Sequence, residues 1–152
     1  MVSGSGMLTA GAATISVGTE SIGHLSRARG LLRGVQVLAT TPSDTGAACH
    51  FLATWTIESL LKSYLSHCGV TKKELRPIRH NLEALWEKAA SQGLSVATTP
   101  PDWCKLLNSI HDEPYHSRYP TSWAGYVGPG LGLMTSELEA VFAAVEKVVQ
   151  PD

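Results

Sequence analysis

The chain has 152 residues, 43% hydrophobic and 16% charged, with a formal net charge of −1. That length fits one domain, the apolar fraction excludes an intrinsically disordered chain, and the near-neutral charge excludes a global basic field for polyanions. No apolar run reaches the roughly 18–20 residues that span a bilayer, and Met1-Val2-Ser3-Gly4-Ser5-Gly6 lacks the pattern of a signal peptide. With three unpaired-looking cysteines, Cys49, Cys68 and Cys104, the expectation is a cytoplasmic protein with free thiols.

Residues 1–18, rich in Gly, Ser, Ala and Thr, are expected to form a flexible arm, with 1–6 having the composition of an appended linker before Met7. Residues 19–152 are expected to be a single domain. Its first helix, about 20–38, carries Leu25, Ala28, Leu32 and Val35 on one face. Pro42 ends it, and Ser43 or Asp44 is expected to cap a second helix over about 44–68. Phe51, Leu52, Trp55, Ile57, Leu60, Leu61, Tyr64 and Leu65 leave that helix few polar sides, so it should lie at the centre. Glu58 and Lys62 stand four residues apart on it in the favourable acid-before-base order, worth about 0.2–0.5 kcal/mol on an exposed face. Gly69 stops it.

After the basic connector Lys72-Lys73-Glu74-Leu75-Arg76-Pro77-Ile78-Arg79-His80, Asn81 should cap a third helix bearing Leu82, Leu85, Trp86 and Ala89, closed by Gly93. Thr99-Pro100-Pro101-Asp102 reads as the start of a fourth, with Thr99 as the capping hydroxyl. Ser136-x-x-Glu139 reads as the capping box of a fifth. The stretch from Pro114 to Gly132, with three prolines among its first sixteen residues, should be loop. Trp55, Trp86 and Trp103 fall at core positions, while Trp123 and Tyr126 suit an interface. No strand alternation competes, so the expected fold is all-α, an antiparallel bundle of about five helices.

Two polar stretches at helix ends are candidates for chemistry: the basic connector, and His111-Asp112-Glu113-Pro114-Tyr115-His116-Ser117-Arg118-Tyr119-Pro120. Neither CxxC nor HxxxH occurs, so no metal site and no cofactor are expected. A nucleophile-elbow GxSxG is absent, and Gly128-Pro129-Gly130-Leu131-Gly132 lacks a P-loop lysine.

Ile57-Glu58-Ser59-Leu60-Leu61-Lys62, then His80-Asn81-Leu82 through Leu85-Trp86, then Arg118-Tyr119-Pro120 together resemble the HEPN superfamily (higher eukaryotes and prokaryotes nucleotide-binding), over roughly residues 20–149. The resemblance implies a helical bundle that dimerises and acts on or binds RNA or a nucleotide, in the setting of prokaryotic defence or toxin–antitoxin systems, with a partner protein encoded nearby. It implies His80 and Arg118 as the catalytic pair, with Asn81 and Tyr119 beside them as ligand-binding residues, and the two polar stretches add Arg76, Arg79, His111 and His116 as further ligand-binding candidates. Active members carry an Arg followed, after four to six intervening residues, by a His. Here Arg76 precedes His80 by only three intervening residues and Arg79 adjoins it. A metal-independent RNase active as a dimer and a catalytically silent interaction module therefore both stand. A bare scaffold is a third reading, expected if His80, His111 and Arg118 point to different faces.

Overall fold

The computed structural model describes residues 19–41, 44–113, 115 and 127–151. Among these there are six helices and no strand: α1 (Glu20–Ala39), α2 (Gly46–His67), α3 (Lys72–Leu75), α4 (Leu82–Ser91), α5 (Asp102–His111) and α6 (Leu131–Val149). The all-α bundle expected from periodicity is present, and α2 is its centre, packing against α1, α4, α5 and α6. Thirteen of its residues are buried, among them Ala53, Ile57, Leu60, Leu61 and Leu65.

Side-chain pairings fix the directions of the helices. Thr45 Oγ1 donates to Leu38 O, Cys49 Sγ to Val35 O, and Ser63 Oγ to Ser21 O. Each step forward on α2 thus meets a step back on α1, so the two are antiparallel. Arg29 pairs with Glu146 and Gln36 donates to Glu139, which sets α6 antiparallel to α1. Leu82 N donates to Asn108 Oδ1, and Trp86 meets Trp103 edge to face at 5.8 Å, so α4 and α5 are antiparallel as well. α6 is stitched to α2 at its start: a His50 ring nitrogen bonds Pro129 O at 2.7 Å, and a Cβ on Gly128 would collide with that ring. Only glycine permits this approach.

Several helix starts differ from expectation. α2 begins after Thr45, which makes no side-chain cap bond, while Asp44 takes the left-handed region (φ 45°) and Ser43 lies outside the described residues. Pro101, rather than Thr99, holds the N-cap position of α5. Ser136 is no cap: α6 starts at Leu131, because Met134 continues the buried row Leu138, Val141, Val145 and Val149 towards the N-terminus. The apolar face outweighs a local capping signal. Asn81 does cap α4, accepting from Ala84 N at 3.0 Å, and Gly69 and Gly93 adopt positive φ at helix ends. The basic connector contains a sixth element, α3, started by a complete capping box between Thr71 and Glu74. Four residues are too few for a periodic signal.

Trp86 and Trp103 are core, as expected. Trp55 is not: it is half-buried on the stripe of α2 shared with Glu58 and Lys62, beneath the Arg27 guanidinium. The expected cost of Trp86→Ala is about 3–5 kcal/mol, with Trp55→Ala costing clearly less. Urea unfolding of the two variants checks this ranking.

Candidate functional site

The site is organised around one buried carboxylate. Glu58 sits mid-way along α2, and three elements turn N–H groups towards it. Lys62, one turn later, places Nζ 2.5 Å from Oε1. His80, at the end of the turn that leads from α3 to the α4 cap, places Nδ1 3.0 Å from Oε1 and 3.2 Å from Oε2. His111, the last residue of α5 and fully buried, places Nε2 2.5 Å from Oε2. Trp55 packs edge-on to both imidazoles, whose rings lie 5.5 Å apart, and Tyr115 meets His80 at 6.1 Å.

Local sequence explains how these groups reach one point. Thr71 and Glu74 start α3, Pro77 prevents its extension, and Arg79 takes a left-handed conformation (φ 55°) that reverses the chain. Asn81 then opens α4, so His80 is held between a strained residue and a cap. Asn108 fixes α5 against the same corner, bonding Leu82 N through Oδ1 and Glu83 through Nδ2.

Burial pushes the Glu58 carboxyl up, but the hydrogen bonds from His111 and Lys62 outweigh it and hold the group at about 2. An ionised carboxylate only accepts, so the nitrogens facing it carry protons: Nδ1–H of His80 and Nε2–H of His111. In neutral His80 the lone pair is then on Nε2. His80 also lines a cleft of about 260 Å³ with His24, Lys62, Lys72, Arg76, Arg79, Glu20 and Leu75. Lys72 and His24 both lie 3.7 Å from Glu20, and Arg79 lies 3.6 Å from Glu113. Burial lowers the pKa of His24, with Glu20 acting in the opposite sense. The cleft is thus cationic, with an acid–base group at its edge. A larger groove between α1 and α6, about 590 Å³, includes Arg29, Leu32, Arg33 and Phe142. There Arg29 is paired with Glu146, and no comparable cluster of titratable groups is found among the described residues.

Of the residues singled out from sequence, His80 and His111 meet on one carboxylate, and Arg76 and Arg79 line the adjoining cleft. The scaffold reading asked whether His80, His111 and Arg118 point to different faces: the two histidines share one face, and Arg118 lies outside the described residues. Asn81 turns its amide oxygen into the α4 cap rather than towards a ligand. Arg118, His116, Tyr119, Trp123 and Tyr126 lie outside the described residues. Sequence reasoning missed Glu58 as the organising group, and the three donors it gathers with His80 and His111 lie within 4.8 Å of one another. The apolar surroundings of Glu58 on α2 were the available signal: a carboxylate on a helix with few polar sides must find partners.

The depressed Glu58 pKa fixes the sign of a pH effect. The group stabilises the fold above its ordinary value near 4.5, and that contribution is lost as pH falls from there towards about 2. Glu58→Gln should therefore lower stability at neutral pH and flatten the acid limb of the stability curve, as measured by urea unfolding across that window.

No family model, no curated protein and no solved structure matches this chain, so its function is carried by the geometry of its own side chains.

Proposed function

We propose that the chain is a HEPN-type domain that binds the phosphate of RNA or a nucleotide in the cleft lined by Lys62, Lys72, Arg76 and Arg79. One observation carries the reading: His80, oriented by a buried carboxylate, stands at the edge of a cleft with four cations. The cations supply attraction to phosphate in a chain whose net charge supplies none. Arginine adds a planar fork suited to phosphate oxygens. The order of the Glu58, His80 and Arg118 segments supports the family assignment, which carries with it a homodimer and a role in defence.

The second reading within this assignment is catalysis, favoured by the tautomer that Glu58 imposes on His80. Nε2 would take the proton of a ribose 2′-hydroxyl, the 2′-oxygen would bond to phosphorus, and the P–O5′ bond would break, giving a 2′,3′-cyclic phosphate and, after proton return, a 5′-hydroxyl. A cleft arginine or Arg118 would stabilise the charge on phosphorus oxygens. Lys62 already provides the positive charge beside Glu58, so this chemistry asks for no metal. The departure from the spaced Arg/His motif favours binding without turnover.

A labelled single-stranded RNA and a labelled nucleotide, offered at low salt with EDTA present, test both readings. The parent should retain RNA or nucleotide. Arg76→Ala and Arg79→Ala should each weaken RNA binding and reduce the slope of log affinity against log salt by about one. If cleavage occurs, it should persist in EDTA and fall by about 10²–10⁴-fold in His80→Ala. Arg118→Ala tests the remaining member of the pair. A parent that neither binds nor cleaves would overturn the assignment.

A further inference from the structure

The three-donor cluster has chemistry that phosphate binding does not use. Glu58, His80 and His111 come from α2, the turn before α4 and the end of α5, so the whole fold converges their donor atoms. Each Glu58 oxygen already lies 2.5–3.2 Å from an imidazole nitrogen. Ligands held about 2.0–2.2 Å from a tetrahedral zinc ion sit roughly 3.4 Å apart, and all three donor atoms lie within 4.8 Å of one another, so modest side-chain shifts would seat an ion among them. From this geometry we propose that Glu58, His80 and His111 form a site for a divalent transition metal of the zinc class, entered by displacing the Lys62 ammonium.

The donor chemistry selects the ion. Two imidazoles and one carboxylate suit zinc, cobalt, nickel or copper, whereas magnesium and calcium prefer oxygen donors. The competitor is also on hand. Lys62 Nζ donates to Oε1, and Lys62 belongs to the lining of the cleft, so its flexible stem has a way out to solvent. Exchange of ammonium for a dication leaves the buried carboxylate neutralised throughout. Trp55 packs against both rings and restricts their rotation.

Metal binding moves protons within each imidazole. His80 must bind through Nδ1 and so carry its proton on Nε2, and His111 must carry its own on Nδ1. No proton needs to leave when both rings are neutral. The metal-bound form therefore has no lone pair on His80 Nε2, the atom the catalytic reading requires. This consequence, unlike the metal site itself, rests on that reading: a zinc-class ion would switch the acid–base group off.

The test uses the full chain at about pH 8, where an ordinary imidazole is neutral, with cobalt(II) followed by its visible absorption, zinc(II) by calorimetry and magnesium as control. One cobalt or zinc ion should bind per chain, cobalt should show the intense bands of low coordination, and magnesium should give no heat. His80→Gln, at a partly exposed position, and His111→Ala should each lose at least about tenfold in affinity, with circular dichroism confirming the fold. Lys62→Met, which removes the competing ammonium, should bind more tightly. The proposal is overturned if neither ion binds the parent, if folded His80→Gln binds as the parent does, or if Lys62→Met gains nothing. RNA binding is measured separately, so failure of the cleft reading and failure of the metal site would be seen independently.

Discussion

A carboxylate withdrawn from water on an apolar helix is costly unless hydrogen bonds replace its hydration. Glu58 meets that demand with N–H groups from Lys62, His80 and His111, and the demand organises much of what surrounds it. Because the donors come from three parts of the chain, satisfying one side chain also positions the α3–α4 turn and the end of α5 relative to α2. The group is thus a structural knot behind the cleft, bonded to His80 and Lys62, which line it. Removing a single partner would leave a buried charge under-satisfied, a larger penalty than loss of an exposed ion pair.

The bundle makes this arrangement affordable by burying α2 on nearly every side. α1 and α6 cover it along one flank, and α4 with α5 covers another. Only the stripe through Trp55, Glu58 and Lys62 faces the polar corner, where histidine rings and the basic turn take the place of aliphatic packing. The cations of α3 and its following turn reach outward from the same corner, so the acid–base group and the positive field share one location.

The fold was largely legible because it rests on periodicity. Leu25, Ala28, Leu32 and Val35 repeat at helical spacing and are all buried, and the crowded apolar sides of α2 gave its central place. What periodicity does not encode is which polar groups meet across the fold. Glu58 read as half of a surface pair with Lys62, although it lies 22 residues from His80 and 53 from His111 in sequence. His111 belonged to a polar run, yet it is the inward end of α5. Capping motifs misled in a related way: Ser136-x-x-Glu139 has the right composition, but the row begun by Met134 carries the helix past it. Trp55 read as core because an aromatic on an apolar helix gives no hint of histidine neighbours.

The stitch between His50 and Pro129 has a counterpart on the same helix. His111, at the end of α5, is tied to Glu58, and Pro129, just before α6, is tied to His50; the two anchor points on α2 are eight residues apart, about 12 Å along its axis. Two turns of one helix therefore set where α5 ends and where α6 begins, so a bend or shift in that stretch of α2 would displace both attachments together.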